Sequence, residues 1–145
     1  MKDAQILIVD DEPQIRKLLK ITLETNDYKT IEASCAKEGL RMAVNHRPDL
    51  VLLDLGLPDQ NGQIVLRNLR EWYSNPVIIL SVQSSEDEIV KALDSGANDY
   101  LVKPFRTGEL LARIRSALRT TAMEINVPTL RWRPVYRSRF QGYKA

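Results

Sequence analysis

Leu50-Val51-Leu52-Leu53-Asp54, running on into Leu55-Gly56-Leu57-Pro58, decides the fold. Residues 50–53 are apolar at every position rather than at alternate ones, the mark of a strand buried on both faces in a parallel sheet covered by helices. Ile6-Leu7-Ile8-Val9 and Val77-Ile78-Ile79-Leu80 have the same character, and weaker strands are expected at Lys29–Ala33 and Asp99–Val102. Helical patterns separate these runs. Pro13 suits a first helical turn, and Ile15, Leu18, Leu19, Thr22 and Leu23 repeat behind it at helical spacing. Leu40, Ala43 and Val44 mark a second helix; Ile64, Leu66, Leu69 and Arg70 mark a less regular third. Ser85 with Glu88 reads as a capping box before Ile89, Ala92 and Leu93, and Gly96 stands where a C-terminal cap belongs. Leu110, Leu111, Ile114, Ala117 and Leu118 form the apolar face of a fifth helix. Strand then helix, five times over, predicts a doubly wound α/β domain with right-handed crossovers.

The 145 residues, 43% of them hydrophobic, suit one domain with a short appendage. Residues 1–119 hold sixteen basic and eighteen acidic side chains, a net of −2, whereas residues 120–145 hold five basic residues and Glu124, a net of +4. The basic balance therefore belongs to the last stretch, where Thr120-Thr121-Ala122 loses the helical stripe and Pro128 and Pro134 follow. The domain is expected to end near Arg119, with 120–145 an irregular basic tail. A single cysteine, Cys35, excludes an intramolecular disulfide or a cysteine metal cluster. The opening MKDAQILIVDDEP has neither a membrane span nor a signal-peptide pattern, so a cytoplasmic location without a membrane role is expected.

In a sheet of this kind ligands bind outside the carboxyl ends of the strands, at the switch in strand order. Those ends carry Asp10-Asp11, Asp54, Ser81 and Lys103-Pro104. Carboxylates ~4 Å apart at an effective dielectric of ~20 repel by about 4 kcal/mol per pair, so such a group calls for a cation. Mg2+ suits it, because that ion takes about six oxygens and keeps several waters. With a metal and Lys103 in place, Asp54 can act as a nucleophile towards a phosphoryl group. Taken singly, each residue has a plainer account: Asp10, Asp11 and Glu12 favour the start of the next helix, Ser81 is a strand-end hydroxyl, and Lys103-Pro104 is a loop. Their joint placement on four strand ends speaks for a site. His46 reads as a surface residue at a helix end, and Cys35 as a helix-start packing residue.

IVDDEP, LVLLDLGLP, the Ser81 strand end and GANDYLVKPF occur in one order over residues 5 to about 119, and together they resemble the receiver domain of response regulators. The resemblance implies a flavodoxin-like (βα)5 sheet of strand order 2-1-3-4-5. It implies that Asp54 takes phosphate from a histidine kinase, with Mg2+ held by Asp10, Asp11, Asp54 and the backbone carbonyl of Gly56. Ser81 and Lys103 would bind the phosphoryl oxygens, and Tyr100 would be the aromatic switch that follows Ser81. Such a domain is a phosphoacceptor rather than an enzyme, catalysing only its own phosphotransfer and dephosphorylation.

DYLVKPFRTGELLARIRSALR is similar to the OmpR/PhoB class of transcription regulators, nearest the KdpE-like branch, which implies a KdpD-like sensor kinase as partner. In that class the face built from the fourth helix, fifth strand and fifth helix dimerises on phosphorylation. Lys91, Asp99, Glu109 and Arg113 fall on it here, Asp99 and Arg113 at positions of an intersubunit ion pair. Asn98 stands where the class has an acid and Thr120 where it often has an arginine. The class reaches DNA through a winged-helix domain, which residues 120–145 do not resemble. Arg131, Arg133, Arg137 and Arg139, interleaved with Trp132, Tyr136 and Phe140, are expected to give at most weak, salt-sensitive binding to nucleic acid.

Two rivals share the architecture. A phosphatase of the haloacid dehalogenase type wants a second catalytic aspartate two residues after the nucleophile, where this chain has Gly56. A flavodoxin-like nucleotide binder needs a phosphate-cradling loop after the first strand, where Asp10-Asp11-Glu12 would repel a phosphate.

Overall fold

A computed structural model describes residues 3–126; the cluster from Arg131 to Phe140 lies outside them. The order is β1 (Gln5–Val9), α1 (Pro13–Thr25), β2 (Lys29–Ala33), α2 (Ala36–His46), β3 (Leu50–Asp54), α3 (Gly62–Arg70), β4 (Val77–Ser81), α4 (Glu86–Asp94), β5 (Asp99–Val102) and α5 (Thr107–Asn126). The strands form one parallel sheet in the order β2-β1-β3-β4-β5, the order expected.

Every residue of β3 and β4 is buried. Alternate side chains point to opposite faces and build two cores. Leu7, Val9, Val51, Leu53 and Ile79 pack with Ala36, Ala43, Val65, Leu66 and Leu69 beneath α2 and α3. Ile6, Ile8, Leu52, Ile78 and Leu80 pack with Leu19, Leu23, Leu110 and Ile114 beneath α1 and α5. Each fully buried aliphatic side chain contributes about 1.5–3 kcal/mol, so a Leu52→Ala cavity is expected to cost roughly 3 kcal/mol. β2 and β5 lie at the edges with partly open faces, which is why their patterns are weaker.

The apolar repeats face inward in the main, with Leu19, Leu23, Ala43, Leu66, Leu69, Ala92, Leu110, Ile114 and Leu118 buried, but single residues of α1, α2 and α3 turn outward. Leu18, Val44 and Ile64 stand 48%, 54% and 45% exposed. On α2 the inward stripe is Ala36, Gly39 and Ala43. A Cβ on Gly39 would come within 2.9 Å of the Val9 side chain, so the helix seats its small residues on β1 and turns Val44 outward. The Ser85–Glu88 cap is present, with the Glu88 N–H donating to Ser85 Oγ at 3.2 Å, and Gly96 takes φ +112°, which favours glycine. The expected boundary at Arg119 falls inside α5, which continues to Asn126. Loss of the apolar stripe does not by itself end a helix: the backbone ladder runs on past Arg119, and Thr120 Oγ1 donates to the Ser116 carbonyl one turn back at 3.0 Å. Among the described residues no helix is long and apolar enough to cross a membrane.

Candidate functional site

Three adjacent strands, β1, β3 and β4, deliver Asp10, Asp54 and Ser81 to one edge of the sheet, and the turn after β5 adds Lys103. Gly62 allows the edge to close: α3 starts so near β3 that a Cβ there would lie 2.5 Å from Leu55 Cα and 2.7 Å from the Asp54 carbonyl oxygen. Asn61 caps α3 above it, accepting from the Gln63 N–H at 2.7 Å. The result is an open cleft of about 580 Å³ lined by Asp11, Glu12, Asp54, Gly56, Asn61, Ser81, Gln83, Glu88 and Lys103.

Oxygens of Asp10, Asp11 and Asp54 lie within 4.8 Å of one another, with Asp10 and Asp54 buried and Asp11 exposed. Lys103 Nζ donates to Asp10 Oδ2 at 2.8 Å and stands 3.6 Å from both Asp54 Oδ1 and Glu12 Oε1. One ammonium thus faces three carboxylates, and the Asp11 carboxylate lies beside two of them. Burial pushes the Asp54 carboxyl above the ordinary aspartate range; the Gly56 N–H, donating to Oδ1 at 3.2 Å, and Lys103 pull it down, while Asp10 and Asp11 push it further up. Lys103 is opposed by burial, yet the Asp10 hydrogen bond and the surrounding carboxylates raise its pKa.

The helix-start account of the acidic run holds only in part. Asp10 Oδ1 accepts from the Glu12 N–H at 2.9 Å as the chain enters α1, but the Glu12 side chain makes no capping bond there and reaches Lys103 instead. Sequence reasoning did not give Glu12 this place. Nor did it find Arg16, whose Nη1 donates to the Asp10 carbonyl at 2.7 Å and whose Nε is 3.3 Å from Glu32. Asn61-Gly62 before an apolar run was a capping signal that could have found Asn61.

Ser81 is buried, and its Oγ accepts from the Gln83 N–H at 3.0 Å. Tyr100, half-buried, donates its hydroxyl to the Gln83 carbonyl at 2.8 Å. One residue of the β4–α4 loop therefore bridges them. Away from the cleft, Arg113 is 3.5 Å from both Asp99 and Glu109, so the residues expected to pair between subunits pair within this chain. Lys91 is exposed on α4. Asn98 is not idle: its Oδ1 accepts from Arg70 Nη2 at 2.8 Å and from the Val77 N–H at 2.9 Å. His46 is exposed at the end of α2, and Cys35, half-buried, is the residue before that helix.

Residues 6–115 match the sequence model of the response regulator receiver domain. The chain is 50% identical over 116 residues to the KDP operon transcriptional regulatory protein KdpE of Escherichia coli, covering 80% of this chain and 52% of that protein. It is 48% identical over 127 residues to the transcriptional regulatory protein KdpE of Mycobacterium tuberculosis, covering 86% and 56%. The chain thus spans about half the length of these relatives. Among solved structures, the BeF3-activated N-terminal receiver domain of Klebsiella pneumoniae RstA superposes with a TM-score of 0.77 at 31% identity, covering 79% of this chain and 98% of that one. A CheY-like receiver domain protein from Methanospirillum hungatei gives 0.81 at 31% identity, covering 85% and 99%.

Proposed function

From the premise that this chain belongs to the response regulator receiver family, we propose that Asp54 is its phosphoacceptor and that the cleft at the carboxyl ends of the strands is the phosphotransfer site. Receiver domains are signalling proteins rather than classical enzymes, and their output depends on phosphorylation. The observation that carries the assignment is the grouping of three carboxylates with Lys103 around an open cleft.

The donor set fits a hard divalent cation: it is all oxygen, carries excess negative charge and opens to water. Asp10, Asp11, Asp54 and the Gly56 carbonyl would hold Mg2+, which when bound draws charge from the phosphoryl oxygens. The rest belongs to the chain. An Asp54 oxygen attacks phosphorus and forms the acyl phosphate; the bond from phosphorus to the donor imidazole of a sensor kinase breaks, and the imidazole keeps the electron pair. Lys103 neutralises a phosphoryl oxygen, and the Ser81 hydroxyl, released from the Gln83 N–H, binds another. Movement of Ser81 and Gln83 removes the acceptor of the Tyr100 hydroxyl, which biases the α4–β5–α5 face between two packings. On that face Lys91, Asp99, Glu109 and Arg113 would exchange pairs within the chain for pairs across a homodimer. Dephosphorylation is the same site's hydrolysis of the acyl phosphate. The receiver unit is read as residues 1–119 with the continuation of α5. DNA contact and transcriptional control would belong to a winged helix in a longer protein, and the partner kinase would be KdpD-like.

Acetyl phosphate tests the reading. With Mg2+ present, intact-mass measurement is expected to show one added phosphoryl group, lost on addition of a chelator. Labelling that persists without a divalent cation contradicts the metal assignment, and no labelling under any condition contradicts the function.

A further inference from the structure

The loop between β3 and α3 carries Gly56, and Leu55 and Leu57 anchor its first part in the core. Beyond Pro58 the side chain of Asp59 leaves the loop and meets α2. Its Oδ1 accepts from the Ala36 N–H at 2.8 Å and its Oδ2 from the Lys37 N–H at 3.0 Å. These are the first two amides of that helix, which have no partner within it. The residue in the capping position is Cys35, whose side chain makes no capping bond. Where serine or aspartate would ordinarily cap from inside the segment, this chain takes the cap from another loop. Both carboxylate oxygens are engaged, and the two amide bonds hold the Asp59 carboxyl below the ordinary aspartate range.

We propose that Asp59 is a positioning residue: by clamping the β3–α3 loop to the start of α2 it fixes the backbone at Gly56, and with it the affinity of the cleft for a divalent cation. The inference deepens the phosphotransfer reading above and rests on it. Gly56 lies between the buried Leu55 and Leu57, and Asp59 ties the stretch that follows directly after them; without that tie, motion of residues 58–60 pulls on Leu57 and through it on Gly56, and metal sites lose affinity when the groups that orient their ligands are removed.

Three variants of the full chain separate positioning from plain helix capping: Asp59→Ala, Asp59→Asn, and Asp59→Ala combined with Cys35→Ser, which returns a local cap to α2 while leaving the loop untied. Each is melted, titrated with Mg2+ by calorimetry in the unphosphorylated state, and followed by amide hydrogen exchange over residues 55–61 without metal. For Asp59→Ala the expected result is a lower melting temperature, faster loop exchange and Mg2+ binding weakened about tenfold, with Asp59→Asn between it and the parent. In the double variant the melting temperature returns, while loop exchange stays fast and Mg2+ binding stays weak. Recovery of Mg2+ affinity in the double variant reduces Asp59 to a helix cap and overturns the proposal, as does unchanged loop exchange in Asp59→Ala. Failure of the parent chain to bind Mg2+ strikes at the phosphotransfer reading instead, while the metal-free exchange still tests the clamp.

Discussion

The two ends of the sheet handle charge in opposite ways. At the amino ends Arg70 reaches out from α3 and spends its guanidinium on neutral acceptors: the Gly96, Tyr73 and Asn75 carbonyls and Asn98 Oδ1, at 2.8, 2.6, 2.9 and 2.8 Å. Tyr73 donates in turn to the Pro48 carbonyl at 2.6 Å, and burial raises its hydroxyl's pKa far above the ordinary range. No carboxylate takes part in those bonds, and the cation closes a web of loop carbonyls. At the carboxyl ends the balance is reversed, with three carboxylates facing Lys103 and a fourth, Asp11, grouped with two of them. The first end is satisfied as it stands. The second holds an excess of negative charge that a cation can relieve.

The largest difference should come from removing the cation at each end. Lys103→Met leaves Asp10 and Asp54 buried without their partner, a loss of about 3–5 kcal/mol at neutral pH, and millimolar Mg2+ should restore part of it in a denaturant melt. Lys103 has a folded pKa above its unfolded one, so its contribution is complete below about pH 10.4 and is lost as pH rises through the folded value. That part of the alkaline decline should vanish in the variant. Arg70→Ala, which leaves several loop carbonyls without a donor, should cost about 3 kcal/mol, and Mg2+ should restore none of it. Equal rescue of both variants would erase the contrast.

A smaller effect has the opposite sign. The Asp54 carboxyl is raised on folding, so its ionised form is disfavoured in the folded state; the penalty is absent below about pH 3.9 and sets in as pH rises through the folded value. Asp54→Asn should therefore stabilise the metal-free protein at neutral pH by about 1 kcal/mol, with the gain fading in acid. A melt that shows no gain would mean that Lys103 already compensates the cluster. Smallest of all is the exposed triad on the α4–β5–α5 face. Arg113→Ala should change stability by no more than about 0.5 kcal/mol, while weakening any dimer that beryllofluoride induces in sedimentation.

The same contrast governs what was legible in the sequence. Strands such as Ile6–Val9 and Val77–Leu80 announce themselves because burial on both faces leaves no polar position. The candidate site was legible because Asp10, Asp11, Asp54 and Ser81 stand at the ends of such runs and Lys103 follows the weaker fifth strand. Contacts set by the approach of distant segments were not. Leu18, Val44 and Ile64 are apolar but face outward; on α2 the close seat of Gly39 against Val9, and on α3 that of Gly62 against Leu55, set which side of the helix meets the sheet. Asp59 reads as a loop acid, and its partners at Ala36 and Lys37 lie more than twenty residues away. Arg70 looked like part of an apolar stripe because its bonds go to backbone carbonyls, which no side-chain pattern reveals.

The claim that Asp54, among the clustered carboxylates, takes the phosphoryl group is tested most directly by chemical trapping. The chain is labelled with acetyl phosphate and Mg2+, reduced with borohydride, which converts an aspartyl phosphate to homoserine, and digested for peptide mass mapping. Homoserine at position 54, with Asp10 and Asp11 intact, is the predicted result; homoserine at position 10 or 11 with residue 54 unchanged would contradict the account.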